Sequence, residues 1–490
     1  MSGCHGLWRC MAGGLMLLGA STWAQSLSPV HSTLLQTVLS VQTRHDAPDL
    51  HCSKAPAKPR PAPVPDADPQ EVPDEEEVQS QLGQFQQMAP ALAGMTDARP
   101  SVALRRLWSP LPGQALRVGV WGDSHLAAGF WSQELQRLTQ LPAQSIRSRF
   151  IPASMNRPGV RLPLRKTCTG PHWQYEPAHA AAAGAADPGP GLVNMFTRHN
   201  EAWLSWDLRN SGGLPDKRQV RLLYQQTRTP ITLAIRVDGG DEQRLELQGR
   251  EGPAVLDLVG DEPISTVQLR VAQGPFRLHG LEWPLPAETR LQLDVFGYPG
   301  ATVAAWRQIQ PADLAAWWGG SSYDVVVLAF GTNEGNVQPF DASAYAHMLQ
   351  ASVATWRQAF PDAACLLVAP GDRGILVRRS QKNRSKLGHA SPSDRSRSPD
   401  LLKFTRVHAE IGRIQKQVAQ AQGCHFWSML DAMGGAGSAY RWAQQNPAWM
   451  ARDLIHFTVP GYQRLAQLMA QDLGWHASVF SPGPQPARRD

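Results

Sequence analysis

The feature of this sequence that most constrains its fold is an alternation of apolar, strand-like runs with segments of helical periodicity. The run LRVGVW begins at Leu116 and precedes a helical segment, and the same alternation resumes at Leu291 and continues through YDVVVLAF and ACLLVAP towards the C-terminus. Strands that alternate with helices form parallel sheets covered on both faces. The sequence therefore predicts an α/β domain built from residues 101–150 and 291–480.

The segment between these two parts, residues 151–290, has a different pattern. Short alternating runs such as QVRLLYQQ, ITLAIRVDG and STVQLRVA are separated by Gly, Pro and Asp turn signals. Several short strands at this spacing are typical of a β-sandwich. We therefore predict a β-sandwich module inserted between the first and second strands of the α/β domain.

The N-terminal part of the sequence indicates export. Residues 1–24 combine one arginine, the apolar run MAGGLMLLGA and the sequence STWAQ, which is typical of a cleaved signal peptide; an uncleaved anchor is the alternative. Within residues 25–100, the segment 53–80 is rich in Pro and Ala and then acidic, so a linker is expected there. Residues 481–490 are expected to be a C-terminal tail. The mature protein is expected to be periplasmic or secreted, without an integral membrane span.

Charge and cysteine content narrow the classes of partner and compartment. The formal net charge is +6, and much of the excess comes from the run VRRSQKNRSK at 377–386. A modest basic balance suits an acidic polymer or a membrane surface, but no nucleic-acid recognition motif accompanies it. The mature chain keeps Cys52, Cys168, Cys365 and Cys424, which allow three pairings. The last two lie in apolar strand-like runs and are interpreted as buried thiols, with a disulfide as the alternative in an oxidising compartment.

Three short polar motifs stand at the ends of predicted elements. Gly-Asp-Ser-His (122–125) follows the first strand, Gly-Thr-Asn-Glu (331–334) follows YDVVVLAF, and Asp-Leu-Ile-His (453–456) precedes the last helix. The carboxyl ends of parallel strands border the ligand crevice, so the first two motifs should meet at one edge of the sheet. Taken alone, the motifs could be a helix N-cap, a turn and a surface pair. Their combination in this order indicates a catalytic site.

The residue types in these motifs fit acyl transfer through a serine nucleophile. The hydroxyl of Ser124 is a poor nucleophile until a neighbouring base takes its proton, and His456 titrates in a suitable range. A carboxylate must then fix the imidazole tautomer, and Asp453, three residues before the histidine, can reach its other ring nitrogen within one turn.

The tetrahedral intermediate of such a reaction needs hydrogen-bond donors aimed at its negative oxygen. The Ser124 backbone N–H, a glycine N–H and the Asn333 side-chain amide are the candidates. Gly300, in FGYPGAT after the second core strand, is the glycine we select, and Gly297 is the weaker candidate.

These motifs together resemble blocks I, II, III and V of the SGNH (GDSL-type) hydrolases: GDSH, the glycine of YPGAT, GTNE and DLIHFT. The resemblance covers roughly residues 115–149 and 291–473, and it implies a flavodoxin-like three-layer α/β/α domain. The site that it implies consists of a catalytic triad, Ser124, Asp453 and His456, and an oxyanion hole, Ser124, Gly300 and Asn333.

Two finer features are similar to bacterial periplasmic peptidoglycan O-acetylesterases, whose inserted module is like a carbohydrate-binding jelly roll. His125 stands where the motif of the family has leucine, and the β-rich module separates blocks I and II. The stretch FWSMLDAMGGAGSAYRW before block V adds to this similarity. The resemblance implies an esterase that removes O-acetyl groups from a cell-envelope or extracellular polysaccharide, above all peptidoglycan, without a cofactor or a metal.

Other functions remain open from the sequence. An O-acetyltransferase would use the same triad with a sugar acceptor, a lipase or thioesterase would need a longer apolar channel, and a non-catalytic glycan-binding protein would carry a vestigial triad. An α/β-hydrolase is set aside because no G-x-S-x-G elbow is present, and a metal hydrolase because no H-E-x-x-H or clustered Cys/His set is present.

The sequence contains 17 tryptophans, and several of them could stack on sugar rings or pack in the core. We do not include them among the site residues. The five considered are Trp121, Trp203, Trp206, Trp442 and Trp449.

Overall fold

The computed structural model describes residues 34–52, 70–88, 108, 114–182, 185–318, 323–378 and 399–480. The predicted signal peptide, residues 53–69 of the predicted linker, most of the basic run at 377–386 and the C-terminal tail lie outside these residues. The described residues all belong to the unit Thr33–Asp490.

The strands and helices are numbered in chain order. The strands of the described residues are β1 (Leu35–Val41), β2 (Gln70–Glu71), β3 (Leu116–Gly122), β4 (Ile146–Arg147), β5 (Phe150–Pro152), β6 (Lys166–Thr169), β7 (Gln174–Pro177), β8 (Val193–Thr197), β9 (Trp203–Asp207), β10 (Gln219–Gln226), β11 (Ile231–Val237), β12 (Gln243–Leu247), β13 (Gly252–Gly260), β14 (Thr266–Gln273), β15 (Phe276–Glu282), β16 (Leu291–Gly297), β17 (Val325–Ala329), β18 (Ala364–Ala369), β19 (Val377–Arg378) and β20 (His425–Ser428). The α-helices are α1 (Glu75–Met88), α2 (Ser124–Ala127), α3 (Phe130–Leu138), α4 (Pro311–Trp318), α5 (Ala342–Ala359), α6 (Lys403–Gln422), α7 (Met429–Ala432), α8 (Ser438–Ala443), α9 (Val459–Leu473) and α10 (Ala477–Phe480).

Six parallel strands form the central sheet, in the order β20-β18-β17-β3-β16-β4. Without the short edge strand β4, this is the flavodoxin-like order, in which the second strand lies outside the first. Successive side chains of a strand face opposite sides. Val120 therefore packs in the core that α3 and α9 cover, and Trp121 in the core that α5 and α6 cover. The predicted three-layer α/β/α domain is confirmed.

Two further sheets contain most of the chain between β4 and β16. The first has the order β1-β13-β10-β15-β8-β7, with β5 also paired to β15, and the second has the order β12-β11-β14-β9-β6. Apolar side chains of both sheets meet in one core, which includes Leu222 and Leu256 from the first sheet and Leu233 and Leu269 from the second. Two sheets that share a core in this way form the sandwich that the alternating pattern predicted.

The N-terminal segment contributes a strand to this sandwich. β1 pairs in parallel with β13 at the edge of the first sheet, with Leu35 opposite Ala254 and Val41 opposite Gly260. The strand lies outside the range 151–290 that the sequence pattern assigned to the module, because its pairing partner is more than two hundred residues away and no local pattern reports it.

Two disulfides join segments that are distant in sequence. Cys52 is bonded to Cys168 of β6, and Cys365 of β18 is bonded to Cys424. The interpretation of Cys365 and Cys424 as buried thiols is therefore wrong. The two cysteines directly precede paired residues of the neighbouring strands β18 and β20, so the register of the sheet places their side chains together.

The linker prediction is wrong for residues 70–80. Strand β2 pairs with β19, and helix α1 buries Val78 and Leu82 in the core of the α/β domain. The segment is polar on average, but two apolar residues four positions apart lie on one helical face and are enough to anchor it. No helix in the described part of the chain is both long enough and apolar enough to cross a bilayer.

Candidate active site

Ser124 lies at the carboxyl end of β3, where the strand order reverses between β3 and β17. In an open α/β sheet this reversal opens the crevice in which ligands bind. Helix α2 begins at Ser124, and its N-cap is Asp123, whose carboxylate accepts a hydrogen bond of 2.9 Å from the His125 N–H. Because Asp123 caps the helix, the hydroxyl of Ser124 is free for another partner.

Ser124, His456 and Asp453 form a continuous chain of hydrogen bonds. The distance between His456 Nε2 and Ser124 Oγ is 3.0 Å, and the distance between His456 Nδ1 and Asp453 Oδ2 is 2.7 Å. The serine and the histidine are 332 positions apart in the sequence. The fold thus brings together the hydroxyl, the imidazole and the carboxylate in the order that a serine hydrolase requires.

A tight loop, rather than a helical turn, holds Asp453 and His456. The Ala451 N–H donates to the His456 carbonyl at 2.7 Å, and Asp453 Oδ1 accepts the N–H groups of Ile455 and His456 at 2.9 and 3.0 Å. Leu454 has a φ of 55°, which is unfavourable for a leucine by roughly 1 kcal/mol or more. Its side chain is fully buried, and this burial offsets the strain.

The electrostatics of this chain favour an ionised carboxylate and a basic imidazole. The hydrogen bond to Asp453 raises the pKa of His456 above its ordinary value and outweighs partial burial, which lowers it. Partial burial raises the pKa of Asp453, but hydrogen bonds from the His456 side chain and backbone outweigh this and hold that pKa well below its usual range. The carboxylate is therefore ionised at neutral pH and stabilises the protonated imidazole.

Gly300 and Asn333 lie on two loops that are tied together. Gly300 is the third residue of the turn 298–301, with a φ of 81°, as a type II turn with proline at its second position requires. The Asn333 Nδ2 group donates to the Ala301 carbonyl at 2.9 Å, which joins the loop after β17 to the loop after β16. Neither the Gly300 N–H nor the second hydrogen of the Asn333 amide meets an acceptor in the described chain.

Gly297, the weaker glycine candidate, packs directly against helix α2. A Cβ at this position would lie 2.5 Å from the Leu126 Cβ and 2.6 Å from the Ala127 backbone nitrogen. No side chain fits there, so the glycine permits β16 to approach the helix that begins at Ser124. Its role is close packing, and Gly300 remains the glycine with an available N–H.

Glu334 is a buried residue of the site that the sequence analysis did not identify. Its Oε1 accepts the Val303 N–H at 2.9 Å, so it supports the same loop that Asn333 holds. Burial raises the pKa of Glu334 to about 7, and its Oε2 has no partner among the described residues. A glutamate beside an asparagine in a turn is usually exposed, so the sequence held no signal for this role.

His125 lies next to the imidazole of His456. The ring centroids of the two histidines are 5.6 Å apart, and the His125 ring is 5.1 Å from the ring of Phe457. His125 Nδ1 lies 3.4 Å from the hydroxyl of Tyr462, and burial lowers the pKa of His125. His125 is thus a neutral residue that packs against the base.

Most of the tryptophans considered as sugar platforms are unavailable. Trp121, Trp206 and Trp442 are buried in the core, whereas Trp203 and Trp449 are partly exposed. The position of Trp121 beside the serine motif reflects packing against Phe296, 4.4 Å away between ring centroids, and not contact with a ligand.

The sequence matches a known protein family. Residues 270–464 match the GDSL-like lipase/acylhydrolase family. This range contains Gly300, Asn333, Asp453 and His456. Ser124 lies before it in the sequence, because most of the sandwich segment separates the two. No protein with a curated function matches the sequence.

Several solved structures are similar to this chain, and the first of them shares its fold. A peptidoglycan O-acetylesterase is 20% identical, covers 78% of this chain and 97% of its own, and superposes with a TM-score of 0.55. A protein from Bacillus subtilis is 13% identical, with coverages of 62% and 88% and a TM-score of 0.28. A family two carbohydrate esterase from Clostridium thermocellum, in complex with cellohexaose, is 9% identical, with coverages of 62% and 99% and a TM-score of 0.24. The match over residues 270–464 and the fold shared with the peptidoglycan O-acetylesterase agree with the resemblance of the sequence motifs to the SGNH hydrolases.

Proposed function

We propose that this protein is a serine esterase that removes O-acetyl groups from a cell-envelope or extracellular polysaccharide, with peptidoglycan as its first candidate substrate. The observation that carries the proposal is the 3.0 Å contact between Ser124 Oγ and His456 Nε2, with Asp453 behind the imidazole. The choice of an acetylated glycan is supported by the fold shared with a peptidoglycan O-acetylesterase and by the β-sandwich beside the hydrolase domain.

The first half of the proposed reaction transfers the acetyl group to the enzyme. Ser124 Oγ attacks the acetyl carbonyl carbon while His456 Nε2 accepts the hydroxyl proton. The ionised Asp453 stabilises the imidazolium that forms. The bond to the sugar oxygen then breaks, and His456 gives its proton to that oxygen, so the sugar leaves with a free hydroxyl and the acetyl group stays on Ser124.

The second half of the reaction releases acetate. A water molecule attacks the acetyl carbon while His456 accepts one of its protons. The bond to Ser124 Oγ breaks, the serine takes the proton back from His456, and acetic acid leaves, ionised at neutral pH. Water, a hydroxyl and an imidazole supply all of this chemistry, so no cofactor is required.

The negative oxygen of both tetrahedral intermediates is assigned to three donors: the Ser124 N–H, the Gly300 N–H and the Asn333 amide. All three have a hydrogen that no acceptor of the described chain occupies. Donors fixed in advance by turns and loops need no reorganisation during the reaction, and one such donor typically contributes a factor of roughly 10²–10³ to kcat.

The proposal includes export of the protein to the periplasm or the medium after cleavage of the predicted signal peptide. The disulfides Cys52–Cys168 and Cys365–Cys424 support this location, because structural disulfides persist mainly in oxidising compartments.

Acetate release from O-acetylated peptidoglycan, acetylated xylan and p-nitrophenyl acetate tests the proposed function. Wild-type protein should release acetate from peptidoglycan, and Ser124→Ala should lower the rate by a factor on the order of 10⁴ or more on every substrate. Ser343→Ala, at an exposed serine of α5, is the matched control.

Three results would contradict the proposal. Wild-type rates in a folded Ser124→Ala variant would show that Ser124 is not the nucleophile. Acetylated oligosaccharide formed when an acceptor glycan is added would identify an acetyltransferase. A strong preference for long-chain p-nitrophenyl esters would identify a lipase.

A further inference from the structure

We propose that Arg373 makes this esterase selective for acetyl esters on anionic glycans by binding a carboxylate that the glycan carries near the ester. The inference rests on the proposed esterase function, and it specifies the charge of the substrate.

Arg373 is held in place at the edge of the sheet that bears the triad. It follows β18, at the carboxyl end of that strand. Its Nη1 donates to the side-chain oxygen of Asn336, in the turn after Asn333. The guanidinium carbon lies 3.9 Å from the ring centroid of Phe404, within the range of a cation–π contact. The side chain is partly buried and fixed from two sides, so its position is set before a substrate binds.

The charge of Arg373 acts on the triad itself. Burial lowers the pKa of Arg373, and the negative charge of Asp453 opposes this shift. Arg373 in turn lowers the pKa of His456, against the larger opposite effect of Asp453. The backbone places the two segments side by side, since the Gly374 N–H donates to the carbonyl of Leu454, between Asp453 and His456, at 3.0 Å. The guanidinium therefore lies on the edge that bears the reacting groups, where it can meet a substituent of a bound sugar.

The guanidinium of Arg373 has unused hydrogen-bonding capacity. Apart from the bond to Asn336, it meets no acceptor among the described residues, and its Nε is a buried donor without a partner. By contrast, the partly buried Arg149 and Arg221 both pair with Glu282. A partly buried cation without a counter-ion is unfavourable, and the planar fork of arginine fits a carboxylate.

A carboxylate on the substrate would therefore gain an ion pair that a neutral glycan does not offer. The ester groups of acetylated xylan are surrounded by hydroxyls, whereas the peptide stems of peptidoglycan carry carboxylates. Acidic polysaccharides carry them on the sugar rings. Both sources present the same chemistry to Arg373, so the test has to separate them.

Two pairs of matched substrates test the inference. One pair is O-acetylated peptidoglycan fragments with free carboxylates and the same fragments with the carboxylates converted to methylamides. The other pair is acetylated alginate with its ring carboxylates free or converted in the same way. Wild-type kcat/KM should be roughly tenfold higher on the free form of at least one pair, mainly through a lower KM, as expected for a charge-assisted contact. The pair that shows the difference identifies the source of the carboxylate.

Variants of Arg373 then locate the preference. Arg373→Gln should reduce the ratio between the free and amidated forms to about one, and Arg373→Lys should leave an intermediate ratio, because it keeps the charge without the planar fork. The control is Arg406→Gln, at an exposed arginine of α6 that pairs with Asp400, and it should keep the wild-type ratio.

The inference fails if wild-type protein does not distinguish free from amidated carboxylates in either pair, a result that needs no variant to fold. It also fails if Arg373→Gln keeps the wild-type ratio, or if it slows both forms equally, which would assign the residue to the triad. Failure of the esterase proposal would look different: no Ser124-dependent acetate release from any substrate, p-nitrophenyl acetate included.

Discussion

The side-chain amide of Asn333 has two N–H groups, and only one of them is bound within the protein. If the other stabilises the tetrahedral intermediate, Asn333→Ala should lower kcat by a factor of roughly 10²–10³ and change KM much less, since the interaction forms in the transition state. Steady-state kinetics with p-nitrophenyl acetate measure this. A melting curve checks that loss of the bond to Ala301 has left the fold intact, and an unchanged kcat in folded protein would mean that the amide has no part in the reaction.

The carboxylate of Asp453 controls the proton affinity of the base. Activity requires neutral His456, so it should fall as the pH drops through the pKa of that residue, which lies above 6.5 because of its hydrogen bond to Asp453. Asp453→Asn removes the carboxylate that raises the pKa of His456, so the acidic limb of the pH profile should move to lower pH. At the same time kcat should fall by a factor on the order of 10³–10⁴. The measurement is kcat/KM against pH for both proteins. An acidic limb that stays in place would assign it to another group.

Single residues differ in how well the sequence could predict them. Ser124, Asp453 and His456 could be predicted to meet because each stands in a short motif at the end of an element, and the parallel sheet brings such ends to one edge. Arg373 belongs to no such motif, and Glu334 stands in one, but nothing in the motif indicates that its side chain is buried. Their surroundings come from Phe404, Asn336 and Val303, and only the folded chain brings these residues near them.

At the scale of elements, the bond between Cys365 and Cys424 joins the start of β18 to the residue before β20. The loop that it closes spans 59 positions, and a disulfide of this kind typically contributes about 2–4 kcal/mol to stability. The double variant Cys365→Ala/Cys424→Ala should lower the free energy of unfolding by that amount, measured by denaturant titration. The variant Cys52→Ala/Cys168→Ala keeps only the Cys365–Cys424 disulfide. Adding a reducing agent to this variant should therefore lower its free energy of unfolding by a similar amount. A double variant as stable as wild type would contradict a structural role.

The elements themselves could be predicted where the signal is local. Apolar runs bounded by turn residues predicted β3, β16, β17, β18 and β20 of the central sheet but not the short edge strand β4, and helical periodicity predicted α3, α5, α6 and α9. The pairing of β1 with β13 and of Cys365 with Cys424 depends on register between distant segments, which no local pattern contains. The composition of α1 did not predict a helix, because most of its residues are polar. Only Val78 and Leu82 among its described side chains are buried.

At the scale of the whole molecule, side chains of the sandwich and of the hydrolase domain meet in one apolar cluster. Phe150, Val193 and Leu223 of the sandwich lie in the same cluster as Trp121 and Phe296 of the central sheet. The connection is reinforced by polar contacts, since the buried carboxylate of β16 at position 294 accepts hydrogen bonds from residues 148–150. A continuous core of this kind couples the two parts.

This coupling predicts cooperative unfolding. A calorimetric scan should show a single transition in which the sandwich and the hydrolase domain melt together, with equal calorimetric and van't Hoff enthalpies if unfolding is reversible. Loss of Ser124-dependent esterase activity should follow the same curve. Two separate transitions would mean that the shared core around Phe150 and Phe296 does not couple the parts.

The position of β1 has a consequence for how the chain is made. Among the described residues, Leu35–Val41 is the first strand that a ribosome synthesises, yet its partner strand, Gly252–Gly260, appears only after roughly 200 more residues, on the order of 10–40 s later. During that interval β1 has no pairing partner, and the thiol of Cys52 stays unbonded until Cys168 has been made. Until Gly252–Gly260 has been made, the newborn polypeptide therefore exposes an unpaired strand edge of the kind that can pair with a neighbouring chain.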